Sequence, residues 1–123
     1  MHLLIDAGLP SESARVRLKQ VWRFLEEAPG LVGLNVILGP KVEPTPMGFA
    51  GFVIIAESHI SVHVEGERLF IDAFSCRPFE ERPVLDLAAK VFRAEWAHTR
   101  IIPRGLEYQQ EMEAELLGLA KKE

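Results

Sequence analysis

The sequence predicts an α+β fold: a two-layer α/β sandwich with a mainly antiparallel sheet and helices on one face. Three observations carry this. Strand-like runs follow one another between residues 31 and 76 with no helical pattern among them. Helical patterns fall in separate stretches before and after those runs. The chain has 123 residues, 48% of them hydrophobic, which suits a single domain spanning 1–123 that buries roughly two-thirds of its extended surface. The expected order is β-α-β-β-β-α-β-α.

Leu3-Leu4-Ile5 reads as the first strand, punctuated by Gly8-Leu9-Pro10-Ser11. Ser11 or Ser13 is placed to cap a helix running to about Ala28, with Ala14, Leu18, Val21, Trp22 and Leu25 on one face. Pro29-Gly30 is expected to stop it. Leu31 to Leu38 reads as a second strand, and Gly39-Pro40 and Pro44-Thr45-Pro46 as a loop or irregular edge, since proline cannot donate to a ladder. Gly48 to Val64 is the most strand-like region. Within it Phe52-Val53-Ile54-Ile55 is apolar on both faces, as in a central, doubly covered strand. Gly66 turns the chain. Arg68 to Cys76 alternates, with Leu69, Ile71 and Ala73 opposed to Phe70, Asp72, Phe74 and Cys76. Pro83 suits the first turn of a helix that buries Val84, Leu87, Ala88, Val91 and Phe92. Thr99 to Ile102 reads as the last strand, and Tyr108, Met112, Leu116 and Leu119 outline a final amphipathic helix.

Composition excludes several classes. With 14 basic and 18 acidic residues, a net charge of −4 and no basic stripe with aromatics, no nucleic-acid partner is expected. The longest uncharged apolar stretch, Met47 to Ala56, is about half of a membrane span, so no membrane partner is expected. One cysteine rules out an intramolecular disulfide framework and a Cys-rich zinc site. The opening Met1-His2-Leu3-Leu4-Ile5-Asp6 has no basic region, so a secretory signal is not expected and a cytoplasmic location is.

Polar residues crowd into Glu57-Ser58-His59-Ile60-Ser61-Val62-His63, and the single cysteine, Cys76, follows downstream. One reading is a run of alternating surface residues on an edge strand. A metal site is disfavoured, because His59 and His63 on a regular strand stand about 13 Å apart and zinc ligands must each bond at about 2 Å. A Cys76–His63 nucleophile–base pair of a hydrolase is another reading, without a signature to support it. His2 and His98 have no such neighbours in sequence and read as terminal and surface residues.

Ala56-Glu57-Ser58-His59-Ile60-Ser61-Val62-His63 resembles the processing-site motif of the small bacterial and archaeal S-adenosylmethionine decarboxylases. Leu69-Phe70-Ile71-Asp72-Ala73-Phe74-Ser75-Cys76 is similar to the family strand ending in its catalytic cysteine, and His2-Leu3-Leu4-Ile5-Asp6 to its opening strand. The likeness runs to about Gly105, and the segment from Glu57 to His63 is its specific part.

The resemblance implies a pyruvoyl-dependent lyase of polyamine (spermidine) synthesis that makes its cofactor from its own backbone. Ser58 would attack the Glu57 carbonyl, and elimination would split the proenzyme into a beta chain, 1–57, and an alpha chain, 58–123, with a pyruvoyl group formed from Ser58. That ketone would form a Schiff base with the substrate amine and act as electron sink, in place of pyridoxal phosphate and without metal. His63 would move protons during processing. Cys76 would reprotonate the substrate carbon. Glu57 would contribute to processing and to the substrate site, and Phe49 is a candidate for stacking on the substrate. The resemblance also implies a homodimer with small-molecule sites at the interface.

Residues 58 and 63 have opposite parity on a strand, so this chemistry predicts a bulge or break close to Glu57–His59. Two departures stand out. The family usually carries Ser or Thr eight residues before the cleavage serine, where this chain has Ala50. It also usually reads His-Thr-Trp-Pro-Glu where this chain has His63-Val64-Glu65-Gly66-Glu67. Two alternatives therefore stay open: a pyruvoyl decarboxylase of another amino acid, such as ornithine or arginine, and an unprocessed relative that binds a ligand or partner.

Overall fold

The computed structural model describes residues 1–33, 35–56 and 58–104. The final helix expected from Tyr108 onward lies outside them. The first strand, β1, spans His2–Gly8. Ser13 caps α1, Ala14–Val32, its Oγ accepting from the Val16 N–H at 3.2 Å. Pro29-Gly30 does not stop this helix. Pro29 forfeits one N–H bond, but it is buried, and Gly33 closes the last turn at φ 84 with its N–H on the Pro29 carbonyl at 3.1 Å.

The buried face of α1 also differs from expectation. It comprises Arg17, Val21, Phe24, Leu25, Ala28 and Pro29, while Ala14 and Trp22 are exposed. The second helix, α2, Glu81–Phe92, packs beside it, and the Phe24 and Phe92 rings meet at 5.9 Å. That contact rotates the apolar face toward Phe24. Arg17 is tolerated inside because its guanidinium donates to the Pro10 carbonyl at 2.7 Å and to Gln20 Oε1 at 2.9 Å.

Because α1 takes residues 31 and 32, β2 begins later than expected, at Val36, and runs to Thr45. It is an irregular edge, with a cis Gly39–Pro40 bond and register shifts on either side of Leu38. The stretch from Gly48 to Val64 is two strands, β3, Gly48–Ile55, and β4, Ser58–Glu65. The chain reverses between the paired Ile55 and Ser58, with Ala56 at φ 42. The sheet therefore has six strands, completed by β5, Arg68–Phe74, and β6, Trp96–Ile102, in the order β2-β3-β4-β5-β1-β6. Every neighbouring pair is antiparallel.

Alternation along β5 is as expected, with Leu69, Ile71 and Ala73 buried. They join Leu3, Ile5, Val53, Ile60 and Val62 under the two helices. Phe52 and Ile54 are not doubly covered. They point to the opposite face, where Phe52 is 37% exposed. No described helix is long and apolar enough to cross a membrane.

Close strand approach makes one glycine indispensable. A Cβ on Gly48 would stand 1.9 Å from the Val64 carbonyl oxygen, which is fixed in the ladder. Gly48→Ala should cost about 1–3 kcal/mol, read as a lowered Tm. Gly8→Ala should cost less, because the atoms it would meet belong to the partly exposed Trp96 ring, which can swing away.

Candidate active site

The β3–β4 hairpin end gathers the unusual features. Ala56 takes a left-handed conformation, which costs an L-residue about 1–2 kcal/mol. Ser58 follows at the first position of β4 and is 4% exposed. Its Oγ is buried and has no hydrogen-bond partner among the described residues. Leaving such a hydroxyl unpaired costs about 1–3 kcal/mol, which a chain selected for stability alone would not keep. A pocket of about 420 Å³ opens here, lined by Phe52, Ile54, Ala56, Ser58 and His59.

The β4–β5 register brings Cys76 to this end. His59 pairs with Phe74, the last residue of β5, so Cys76 follows two residues beyond the end of β5 that adjoins the start of β4. The Ser75 N–H continues the ladder onto the Met1 carbonyl at 2.9 Å, and Ser75 Oγ accepts from the Arg77 N–H at 3.1 Å, turning the chain around half-buried Cys76. Burial lowers the pKa of the Met1 amino group; the nearby Cys76 thiol opposes that shift and Arg104 adds to it.

His63 is not at this end. It pairs with Ala50 on one side and Phe70 on the other, and is exposed on the face away from the helices. Pairing is unbroken from Ser58 to Glu65, so β4 contains no bulge. The irregularity expected near Glu57–His59 is instead the chain reversal before Ser58. Five residues of regular strand separate residues 58 and 63 by about 16 Å, with Ser58 buried under the helices and His63 facing away. Glu57 lies outside the described residues. Phe49 pairs with buried Val64 and packs against the core, whereas Phe52 is the phenylalanine that lines the pocket. Strand parity carried that distinction, since Phe52 and Ile54 share a face with His59, which is the partner of Ile54 across the ladder.

A second group emerges that the sequence did not suggest. His2 is far from solitary: its Nε2 lies 3.0 Å from Asp72 Oδ1 and its Nδ1 lies 3.2 Å from Arg104 Nη1. The Phe74 ring sits between His2 and His59, at centroid distances of 6.3 and 5.6 Å, with the Arg104 guanidinium carbon 4.6 Å above it. Antiparallel pairing of β1 with β5 produces this group, and that long-range pairing leaves no local mark. His98 is exposed, as expected, beside Trp96.

The sequence model of the S-adenosylmethionine decarboxylase family matches residues 1–105. The chain belongs to that family. It is 38% identical over 109 residues to the S-adenosylmethionine decarboxylase proenzyme of Pyrococcus furiosus, covering 86% of this chain and 78% of that one. With the proenzyme of Pyrococcus abyssi it shares 39% identity over 70 residues, 54% of this chain and 50% of the relative, so the match spans about half the length of that protein. The crystal structure of the adenosylmethionine decarboxylase from Aquifex aeolicus superposes with a TM-score of 0.68 at 22% identity, over 85% of this chain and 89% of that one. That likeness establishes a shared family fold, the antiparallel α+β sandwich.

Proposed function

We propose that this chain is a self-processing, pyruvoyl-dependent decarboxylase of S-adenosylmethionine serving spermidine synthesis, cleaved between Glu57 and Ser58. The observation that carries the reading is the buried Ser58 hydroxyl, without a hydrogen-bond partner among the described residues, beside the pocket and at the end of the sheet that Cys76 reaches. A hydroxyl engaged in no competing hydrogen bond suits the precursor of a pyruvoyl group. When formed, that group supplies an electron sink for the carbon losing CO₂. Cys76 holds a proton at Sγ for return to that carbon, and Phe52 and Ile54 keep water from the pocket wall. Small-molecule substrate, cytoplasmic location and pairing of two protomers complete the reading.

Denaturing mass spectrometry tests it. Fragments 1–57 and 58–123 support the proposal, and an intact 13.8 kDa chain after prolonged incubation counts against it. Cys76→Ser should leave cleavage intact while lowering decarboxylation by about 10²–10⁴. Equal loss of both would place Cys76 in processing rather than in proton return.

A second reading, an unprocessed relative that binds a ligand or partner, is favoured by one arrangement: Ala50, with no hydroxyl, faces His63 across the ladder, and both are remote from Ser58. The same mass measurement separates the two. Assays with ornithine and arginine separate the S-adenosylmethionine enzyme from a decarboxylase of another amino acid.

A further inference from the structure

Arg104 follows β6 on the same end of the sheet as Ser58 and Cys76. Its guanidinium is held on two sides, by the Phe74 ring at 4.6 Å and by His2 Nδ1 at 3.2 Å, and its carbonyl accepts from the Met1 amino group. These contacts assign the His2 tautomer. A guanidinium only donates, so Nδ1 accepts; the Asp72 carboxylate only accepts, so Nε2 carries the proton at 3.0 Å from Oδ1. In that arrangement His2 ties Arg104 to Asp72 while keeping the carboxylate off the guanidinium. Among the described residues, no carboxylate pairs with Arg104 directly.

An exposed guanidinium that pairs with no carboxylate among the described residues, and that Phe74 and His2 already hold in place, presents a rigid fork of donors matched to a carboxylate. Phe74 beneath it also packs against His59, the residue after Ser58 and one of the residues lining the pocket. We infer that Arg104 receives the carboxylate of the amino acid substrate, with Phe74 and His2 orienting the guanidinium; this rests on the decarboxylase reading. Such a contact holds the charged ground state more tightly than a transition state losing neutral CO₂, so its effect falls on binding.

The test titrates the full chain, treated with borohydride so that no ketone turns the ligand over, with S-adenosylmethionine and with its carboxamide. The amide keeps the shape and removes the charge. The unsubstituted chain should bind the acid about tenfold more tightly than the amide, the scale of a charge-assisted contact. Arg104→Gln should bring that ratio to about one by weakening the acid alone, and Arg104→Lys should fall between, with thermal melts confirming folding. A ratio that survives in Arg104→Gln, an equal loss for both ligands, or an unsubstituted chain with no preference overturns the assignment while sparing the decarboxylase reading. Binding of neither ligand by the unsubstituted chain overturns both.

Discussion

Replacing Ser58 with alanine is expected to leave the chain at its full 13.8 kDa indefinitely and, at the same time, to stabilise the fold. The first effect follows from chemistry: only an oxygen or sulfur at this position can take over the acyl group of residue 57. Ser58→Cys should still make that shift, as a thioester that hydroxylamine cuts at the same junction, but without leaving a ketone that borohydride reduces. The second effect follows from the structure. The Ser58 Oγ is buried with no partner among the described residues, so folding strips it of water with no return. Removing it should recover about 1–2 kcal/mol, measured as a higher Tm against the uncleaved serine chain or a higher midpoint in urea. A hydroxyl kept solely for structure would give the opposite sign. Loss of cleavage together with gain of stability is the signature of a group retained for reaction at the expense of the fold. Cleavage persisting in Ser58→Ala would remove Ser58 from the mechanism altogether.

What the sequence disclosed, and what it hid, follows from the range of the interactions involved. The alternation of Leu69, Ile71 and Ala73 reports burial on one face, a local property, and the structure agrees. The segment from Glu57 to His63 marked a candidate site for the same reason, since its residue types are contiguous, though His63 stands away from the hairpin end where Ser58 lies. The hairpin between Ile55 and Ser58 was hidden because its reversal uses Ala56 in a left-handed conformation rather than the usual Gly or Asn. Without a turn signal, β3 and β4 read as one stretch. The separation of Ser58 from His63 did not depend on that turn, since both lie on β4 and strand rise alone sets it. Pro29 misled in the opposite direction, being buried within the last turns of α1 rather than ending it. The His2–Asp72–Arg104 group joins three distant parts of the chain, and only the order β5-β1-β6 brings them together.

Ala50→Ser is the second substitution with a large expected effect. Residue 50 lies directly across the ladder from His63, so a serine there would set a hydroxyl beside that imidazole. In the paired hairpin both stand about 16 Å from the Ser58 junction and can do nothing for it. They act only when the hairpin end leaves the ladder and folds back along the face on which His63 and residue 50 lie. Two features of that end lower the cost of doing so: the left-handed Ala56 and the unpaired Ser58 hydroxyl both lose an unfavourable condition when it opens. If cleavage passes through such an opened state, the new hydroxyl donates to the developing oxyanion, and cleavage should accelerate by about 10²–10³. The intact-to-fragment time course measures this. Stability should hardly change, since residue 50 is only half-buried, on the face away from the helices. A double-mutant cycle with His63→Ala identifies the route. Through the opened state, the gain from Ala50→Ser disappears when His63 is absent. A gain that survives His63→Ala would mean that the hydroxyl works alone. No gain in either background would confine the cleavage chemistry to the hairpin end itself.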